Sequence, residues 1–292
     1  VAALVGDDVH IELHAGDDPL DEGSVFEIGS VTKTMTGLLV ADAVLRGELS
    51  PETRVTDVLG VRGPAGECTI GELATHRSGL PRLPPDFDPP RLPDDPYNGY
   101  SASDLLEALA DTEVGPKVFL YSNFAFMVLG LILGEVTGSP FPDLVRERLF
   151  EPLGMRSSGC PPPERCRVRG YIRAAETPWW TSEAPGAFGV GASIHDVSVY
   201  LRAHLEPLPT GVGEAIALAT TEHAPGPNAA GYGWAHADGC WWHNGATGGS
   251  RSFVALQPDA RVAVALLANS AQTQMIDTVG FTVLKRLAYE SR

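Results

Sequence analysis

Lysine is scarce in this chain: three residues in 292, against 17 serines. Cysteine and methionine are as thin, at four each. Four cysteines over this length do not make a disulfide framework, and their spacing is not that of a zinc site. Cys160 and Cys166 flank Pro-Pro-Pro-Glu-Arg and are near enough to bridge, but free thiols are the expectation. Long apolar runs are missing too. The longest, residues 124–134, is too short to span a bilayer and stops at Glu135. Positive charge is in deficit: 21 Lys and Arg stand against 37 Asp and Glu, a net charge of −16. Phosphate backbones and anionic lipid repel such a surface, so neither nucleic acid nor a membrane is an expected partner. No Gly-x-Ser-x-Gly elbow, P-loop or dinucleotide fingerprint occurs. Nor does a basic stretch with an apolar core open the chain, since residues 1–5 run straight into Gly6-Asp7-Asp8. The expected location is therefore cytoplasmic, with a leader removed ahead of Val1 as the alternative.

What is present reads as a folded enzyme-sized chain, 43% hydrophobic with 32 Gly and 24 Pro. Residues 1–5 and 9–14 read as a hairpin around the Gly-Asp-Asp turn, and residues 25–28 as a short strand. Helical spacing then runs from Met35 to Leu45 and stops at Arg46-Gly47, which places Ser30 where a strand gives way to a helix. Helices are expected at 70–76, 103–109, 124–136 and 141–150, separated by loops. The loop at 80–96 holds seven prolines. The last third returns to mixed character: a helix at 194–205, strands at 241–243, 253–256 and 261–268, and a closing helix at 271–289. The expected fold class is α/β (α+β), an antiparallel sheet from both chain ends flanked by helices. Residues 1–50 and 181–292 would form the sheet domain, and 51–180 a mostly helical inserted subdomain.

Three short stretches carry chemistry. In Ser30-Val-Thr-Lys33, residues three apart on a helix share a face, so the Lys33 amine comes within reach of the Ser30 hydroxyl. A serine hydroxyl needs a nearby base before it is a useful nucleophile, and a helix start supplies N–H groups for an oxyanion. With three lysines, one Ser-x-x-Lys arises by chance in roughly one such chain in six, so the motif needs company. Tyr121-Ser-Asn123, if extended, points a phenol and an amide the same way. In His243-Asn244-Gly245-Ala246 the glycine follows His243 on one strand face, leaving room for a ligand against the strand edge. His10-Ile-Glu-Leu-His14 is discounted as a zinc motif, because its acid is misplaced and the segment alternates like a strand.

Together and in this order, the three stretches resemble the penicillin-recognising serine enzymes, in their class C β-lactamase-like branch of DD-peptidases, D-amino-acid-specific amidohydrolases, esterases and transacylases. The surrounding text is similar as well: Phe26-Glu-Ile-Gly-Ser-Val-Thr-Lys, Leu73-Ala-Thr-His-Arg-Ser-Gly-Leu-Pro, Glu151-Pro-Leu-Gly-Met, Gly231-Tyr-Gly-Trp and Ala265-Leu-Leu-Ala-Asn. The resemblance implies Ser30 as nucleophile, Lys33 as its proton partner, Tyr121 as general base and later acid, and Asn123 as a contact for substrate and lysine. It implies an oxyanion hole from the N–H groups of Ser30 and Ala246, and no metal or organic cofactor.

One departure shapes the substrate expectation. Where β-lactamases carry Lys-Thr-Gly, this chain has His243-Asn244-Gly245, so the cation and hydroxyl that grip a β-lactam carboxylate are both missing. Arg251 is a candidate replacement charge. The expected substrate is a small ester or amide, with water or an amine as acceptor. Hydrolysis of β-lactams or D-amino-acid peptides, or ligand capture without turnover, are the alternatives. Trp179, Trp180 and Tyr97 either pack the insertion or line an acyl pocket. Two bases compete: a lysinium beside Tyr121 lowers its pKa, whereas burial raises the phenol and favours a neutral Lys33.

Overall fold

Strand periodicity and two chain ends that pair with each other set this architecture. The computed structural model describes residues 1–16, 19–87, 95–206, 208, 211–224, 226, 229–273 and 275–291. A hairpin of β1 (Ala2–Val5) and β2 (Asp8–Ile11) opens it. Strand β3 (Val25–Glu27) passes through one tight turn, Gly29–Val31, into α1 (Thr32–Leu45). Helices α2 (Val55–Leu59), α3 (Ile70–Ala74), α4 (Ala102–Ala110), α5 (Asn123–Thr137), α6 (Phe141–Val145) and α7 (Glu151–Leu153) follow. A small ribbon of β4 (Gly170–Ile172) and β5 (Ala175–Thr177) precedes β6 (Gly191–Ser193), which pairs back onto β3. Helices α8 (Ile194–Leu205) and α9 (Gly211–Ala219) lead into β7 (Ala229–Ala230), β8 (Ala235–Ala237), β9 (Cys240–Ala246), β10 (Arg251–Gln257) and β11 (Val262–Ala268). Helix α10 (Ile276–Glu290) closes the chain.

The main sheet is antiparallel, in the order β2-β1-β11-β10-β9-β8-β7. Its first and last long segments meet where Ala3 pairs with Val264. Alternation along β10 and β11 sends side chains to two cores. Phe253, Ala255, Val262 and Val264 pack beneath Ile276, Leu284 and Ala288 of α10. Val254, Leu256, Ala263 and Ala265 face the larger core, which runs on through α1, α5 and α8. The ring of Phe253 lies where a Cβ on Gly280 would stand, 2.2 Å away, so only glycine lets α10 approach the sheet here. Helix α1 is buried on every side from Thr32 to Ala43, which makes it the central element rather than an amphipathic cover. Among the described residues, no single helix is long and apolar enough to cross a membrane.

Three expectations from periodicity need correction. The second hairpin arm ends at Ile11 rather than His14, with Ile11 opposite Ala2 and the Glu12 N–H donating to Val1 O just beyond that pair. The closing helix begins at Ile276, since the segment before it is engaged elsewhere. Tyr171 N–H donates to Asn269 O, and Ala271 N–H to Tyr171 O. The stretch 141–150 is one turn of α6 followed by a wider π-helical turn, Arg146–Phe150, not a uniform helix. All four cysteines are free.

Candidate active site

Ser30 sits in the turn between β3 and α1, as its place in the sequence predicts. Lys33 follows one helical turn later, and its Nζ donates to Ser30 Oγ at 2.9 Å and to Ala187 O at 2.7 Å. The amine is fully buried. Among the described residues, no carboxylate forms an ion pair with it. Burial, helped by the positive Arg82, therefore holds its pKa well below the usual lysine range.

Tyr121 comes from the other side of the crevice, just ahead of α5. The cap of that helix fixes it: Ser122 Oγ accepts from Ala125 N–H at 3.0 Å and donates to Pro81 O at 2.7 Å. Tyr121 and Ser30 line the same cavity, and the Ser30 hydroxyl eases ionisation of the phenol. Burial is the larger influence on the phenol, pushing its pKa up to about 12 despite that effect. Lys33 Nζ lies 5.1 Å from the centre of the Tyr121 ring, and the Arg82 guanidinium 5.1 Å from it as well. Hydroxyl, amine and phenol from two distant stretches thus converge, as the resemblance implies.

Other predicted residues are placed less simply. Asn123 lines the crevice, but its Nδ2 donates to the Tyr97 hydroxyl at 3.2 Å and its buried Oδ1 has no partner among the described residues. It is not a hydrogen-bond partner of Lys33, whose amine is turned to the Ala187 carbonyl instead. His243 is buried behind Tyr121, ring centres 6.0 Å apart, with Nδ1 donating to Asn244 O at 2.6 Å. Burial, with the nearby Lys33 amine, drives its pKa down to about 3, so it is neutral at pH 7. Asn244 faces out, and its Nδ2 donates to Asp277 Oδ2 at 2.7 Å. Gly245 borders the cavity, as its sequence position suggests, but the place of its missing side chain is taken by the chain itself rather than left to a ligand. Its Cα packs on Ile28, where a Cβ would meet the carbonyl oxygen at 2.1 Å.

That close approach brings the two amide segments together. Gly29, at φ 50°, lies against Ala246, and a Cβ on it would stand 2.7 Å from Ala246 N. The backbone of Ser30 is therefore side by side with the end of β9, where paired N–H donors can serve a developing oxyanion. Beyond the short β8 pairing, which ends at Ala235 opposite Trp242, β9 continues past the hairpin to the crevice.

The crevice is a cavity of about 650 Å³ that holds Ser30, Tyr121, Asn123, Ala246 and Arg251 on its walls. Arg82 and Leu83 reach it from the proline-rich loop, whose residues 88–94 lie outside those described. Tyr97, Trp180 and Phe188 form its aromatic side, with Tyr97 and Phe188 ring centres 4.0 Å apart. The paired tryptophans therefore part company. Trp180 borders the cavity, while Trp179 turns away to donate from Nε1 to Val168 O and to stack under Arg167. A second, mostly apolar recess of about 320 Å³ lies behind Tyr121, between His76, Phe119, Trp234, Trp242 and His243. Among the described residues, no group of three or more His, Cys, Asp or Glu is placed to hold a metal ion.

Motif reading gave no role to four residues. His76 adopts φ 59° and accepts the Ser122 N–H on Nδ1 at 3.1 Å, which bonds the residue next to Tyr121. Ala187 supplies the carbonyl for Lys33, Arg82 adds positive charge, and Glu27 stands buried three residues ahead of Ser30. His76 and Glu27 fall inside the quoted motif strings, but nothing in their spacing signals a contact. Ala187 and Arg82 are brought in by long-range packing alone.

A seven-stranded sheet with α10 on one face, α1 and α8 on the other, and a serine–lysine–tyrosine crevice at its edge is the architecture of the β-lactamase-fold serine hydrolases. The chain belongs to the Beta-lactamase family, whose sequence model matches residues 1–288. Penicillin-binding protein 4 of Amycolatopsis lactamdurans is 31% identical over a 310-residue alignment that covers 92% of this chain and 80% of that protein. A beta-lactamase of Escherichia coli (strain K12) is 26% identical, across 86% of this chain and 77% of its own. The unguisins hydrolase ungD' of Aspergillus campestris is 25% identical over 85% of this chain, which spans 53% of that protein.

Proposed function

We propose that the chain is a serine acyl-transfer enzyme that takes an acyl group from an ester or amide onto Ser30 and hands it to water or an amine. The observation that carries this reading is a Ser30 hydroxyl that accepts from a buried, cation-disfavouring lysine and shares its cavity with the Tyr121 phenol. Pure binding needs neither group.

Burial also separates their roles. It favours the neutral Lys33 amine and the protonated Tyr121 phenol, so Lys33 is the better proton acceptor and Tyr121 the better donor. In acylation the Ser30 Oγ–carbon bond forms, its proton passes to Lys33, and the carbonyl π electrons move to the oxygen facing the Ser30 and Ala246 amides. When the tetrahedral carbon collapses, the bond to the leaving oxygen or nitrogen breaks and Tyr121 supplies its proton, itself reprotonated from Lys33. Water or an amine then reverses these steps at the acyl-serine.

The substrate preference follows from His243-Asn244. A neutral buried imidazole and an amide committed to Asp277 offer no charge to a β-lactam carboxylate. The aromatic wall and the apolar recess favour an ester or amide with an apolar body. We therefore favour esterase or ester-to-amide transacylase activity. The names of the relatives, a penicillin-binding protein and a beta-lactamase, support action on β-lactams as a second reading, and Arg251 on the cavity wall gives it a structural basis.

Intact-mass detection of an acyl adduct, from a panel of esters, amides and β-lactams with and without amines, tests this. An ester-derived adduct on Ser30 that is absent in Ser30→Ala, and is released faster by water or amine than any β-lactam adduct, is the expected result. Fast cephalosporin turnover would establish the second reading, and equal turnover in Ser30→Ala would end both.

A further inference from the structure

We propose that Glu27 is a positioning residue of the acyl-transfer site, its carboxylate tying together the two segments that carry the oxyanion amides and the aromatic wall of the cleft. The proposal rests on the Ser30 acyl-transfer reading and names a part of its machinery outside the reacting groups.

Glu27 is the last residue of β3 and is 5% exposed. Each carboxylate oxygen has its own donor. Oε2 accepts from Thr247 Oγ1 at 2.9 Å, and Oε1 from Trp180 N–H at 2.8 Å. Thr247 directly follows Ala246, and its turn is closed by its own N–H donating to Ser250 O at 3.1 Å. Trp180 lines the cavity. On the other side, the chain runs from Glu27 through Ile28 and Gly29, whose Cα lies against the Ala246 amide, to Ser30. One buried side chain thus spans the strand that delivers the nucleophile, the turn that delivers the second amide, and a cleft wall. A shift of about 1 Å in such a frame costs up to about 10²-fold in rate.

The charge balance argues against a merely structural part. A buried carboxylate is expensive without a direct cation, and an amide or apolar residue would fill the space at lower cost. The charged groups facing Glu27 are Asp95, which disfavours its ionised form, and Arg167, which favours it, though the guanidinium itself is directed to Pro162 O. The two donors favour the carboxylate as well. Burial outweighs them and raises the pKa to about 7. Ionised, Glu27 accepts from both partners. Once protonated it must donate, and one of the two ties weakens. Alignment of the amides therefore titrates near neutrality.

The test is the rate of Ser30 labelling by a fluorophosphonate between about pH 5 and about pH 9, which reads base and oxyanion function together. In the parent, part of the rate is lost as pH falls through about 7. Glu27→Gln has the donor pattern of the protonated acid, a carbonyl for Trp180 and an amide N–H for Thr247, so it should lack that step and react at alkaline pH at the reduced level of the protonated parent. Glu27→Ala should lose about 10- to 10²-fold at every pH. Superimposable profiles for the parent and Glu27→Gln would overturn the proposal, and this comparison stands even where Glu27→Ala fails to fold. A parent that takes no label at any pH is a different failure, that of the Ser30 reading itself.

Discussion

The Cα of Gly245 faces the carbonyl oxygen of Ile28, and a methyl group there would stand 2.1 Å from that oxygen and 2.3 Å from the Ser252 hydroxyl. That hydroxyl donates to the same carbonyl at 2.7 Å, so neither neighbour has room to give. Through this contact β9 seats the Ala246 amide beside Ser30. Gly245→Ala should cost about 1–3 kcal/mol from overpacking and lower the rate of Ser30 labelling even where the variant folds. Thermal unfolding and phosphonate labelling together check this. Gly16→Ala, with nothing within 4 Å of the added methyl, is the control expected to change neither.

Assigning Lys33 as proton acceptor and Tyr121 as proton donor predicts a split by leaving group. Lys33→Met should lower acylation by about 10²–10⁴ for every substrate, because each needs the Ser30 proton removed. Tyr121→Phe should spare a p-nitrophenyl ester, whose leaving group departs as an anion, and slow an alkyl ester or amide about tenfold or more beyond that. Parallel losses for all leaving groups in Tyr121→Phe would instead make the phenol the base.

Much of this was legible in the chain, and the limits have physical causes. The long strands and α5 were readable because β10 and β11 are short apolar runs bounded by polar or turn residues and α5 is apolar along its length. Ser30 and Lys33 were readable because one helical turn relates them. Tyr121 needed a resemblance, since no local rule brings a residue so far along the chain to Ser30. Gly245 was read as making room for a ligand because a sequence shows a missing side chain but not what fills its place. Glu27 was invisible as a contact. A carboxylate in an apolar strand gives no hint that a tryptophan amide and a threonine hydroxyl will close on it.

Stability should fall steeply on acidification. His243 is held neutral by burial, at a pKa of about 3 against an ordinary 6.5, and His76 is displaced in the same direction. The unfolded chain binds these protons first, so their contribution is complete above pH 6.5 and lost as pH falls towards 3. For His243 alone this amounts to about 4–5 kcal/mol at the bottom of that range. Glu27 runs the other way: its raised pKa stabilises the fold below pH 4.5 and is lost as pH rises through about 7. His243→Gln should therefore lower the acid-unfolding midpoint, whereas Glu27→Gln should raise stability at alkaline pH. Urea unfolding across the pH range checks both signs, and an unmoved acid midpoint in His243→Gln would show that the imidazole is not buried neutral.

Arg251 decides whether the cleft still welcomes an anion. Its Nη1 is spent on Thr247 O and Ser250 O, both at 2.9 Å, and burial depresses its pKa, with Asp277 opposing. A guanidinium has further donors, and this one stands on the cavity wall. If it takes the place of the missing Lys-Thr pair, Arg251→Gln should raise KM for an ester bearing a carboxylate by about tenfold. A neutral ester of the same size should change less than about twofold in KM. Because the same bonds also hold the turn after Ala246, a structural effect would appear as a loss of kcat common to both esters. Only a difference between the two esters reports recognition of charge, and equal KM changes would leave the cleft without a carboxylate site.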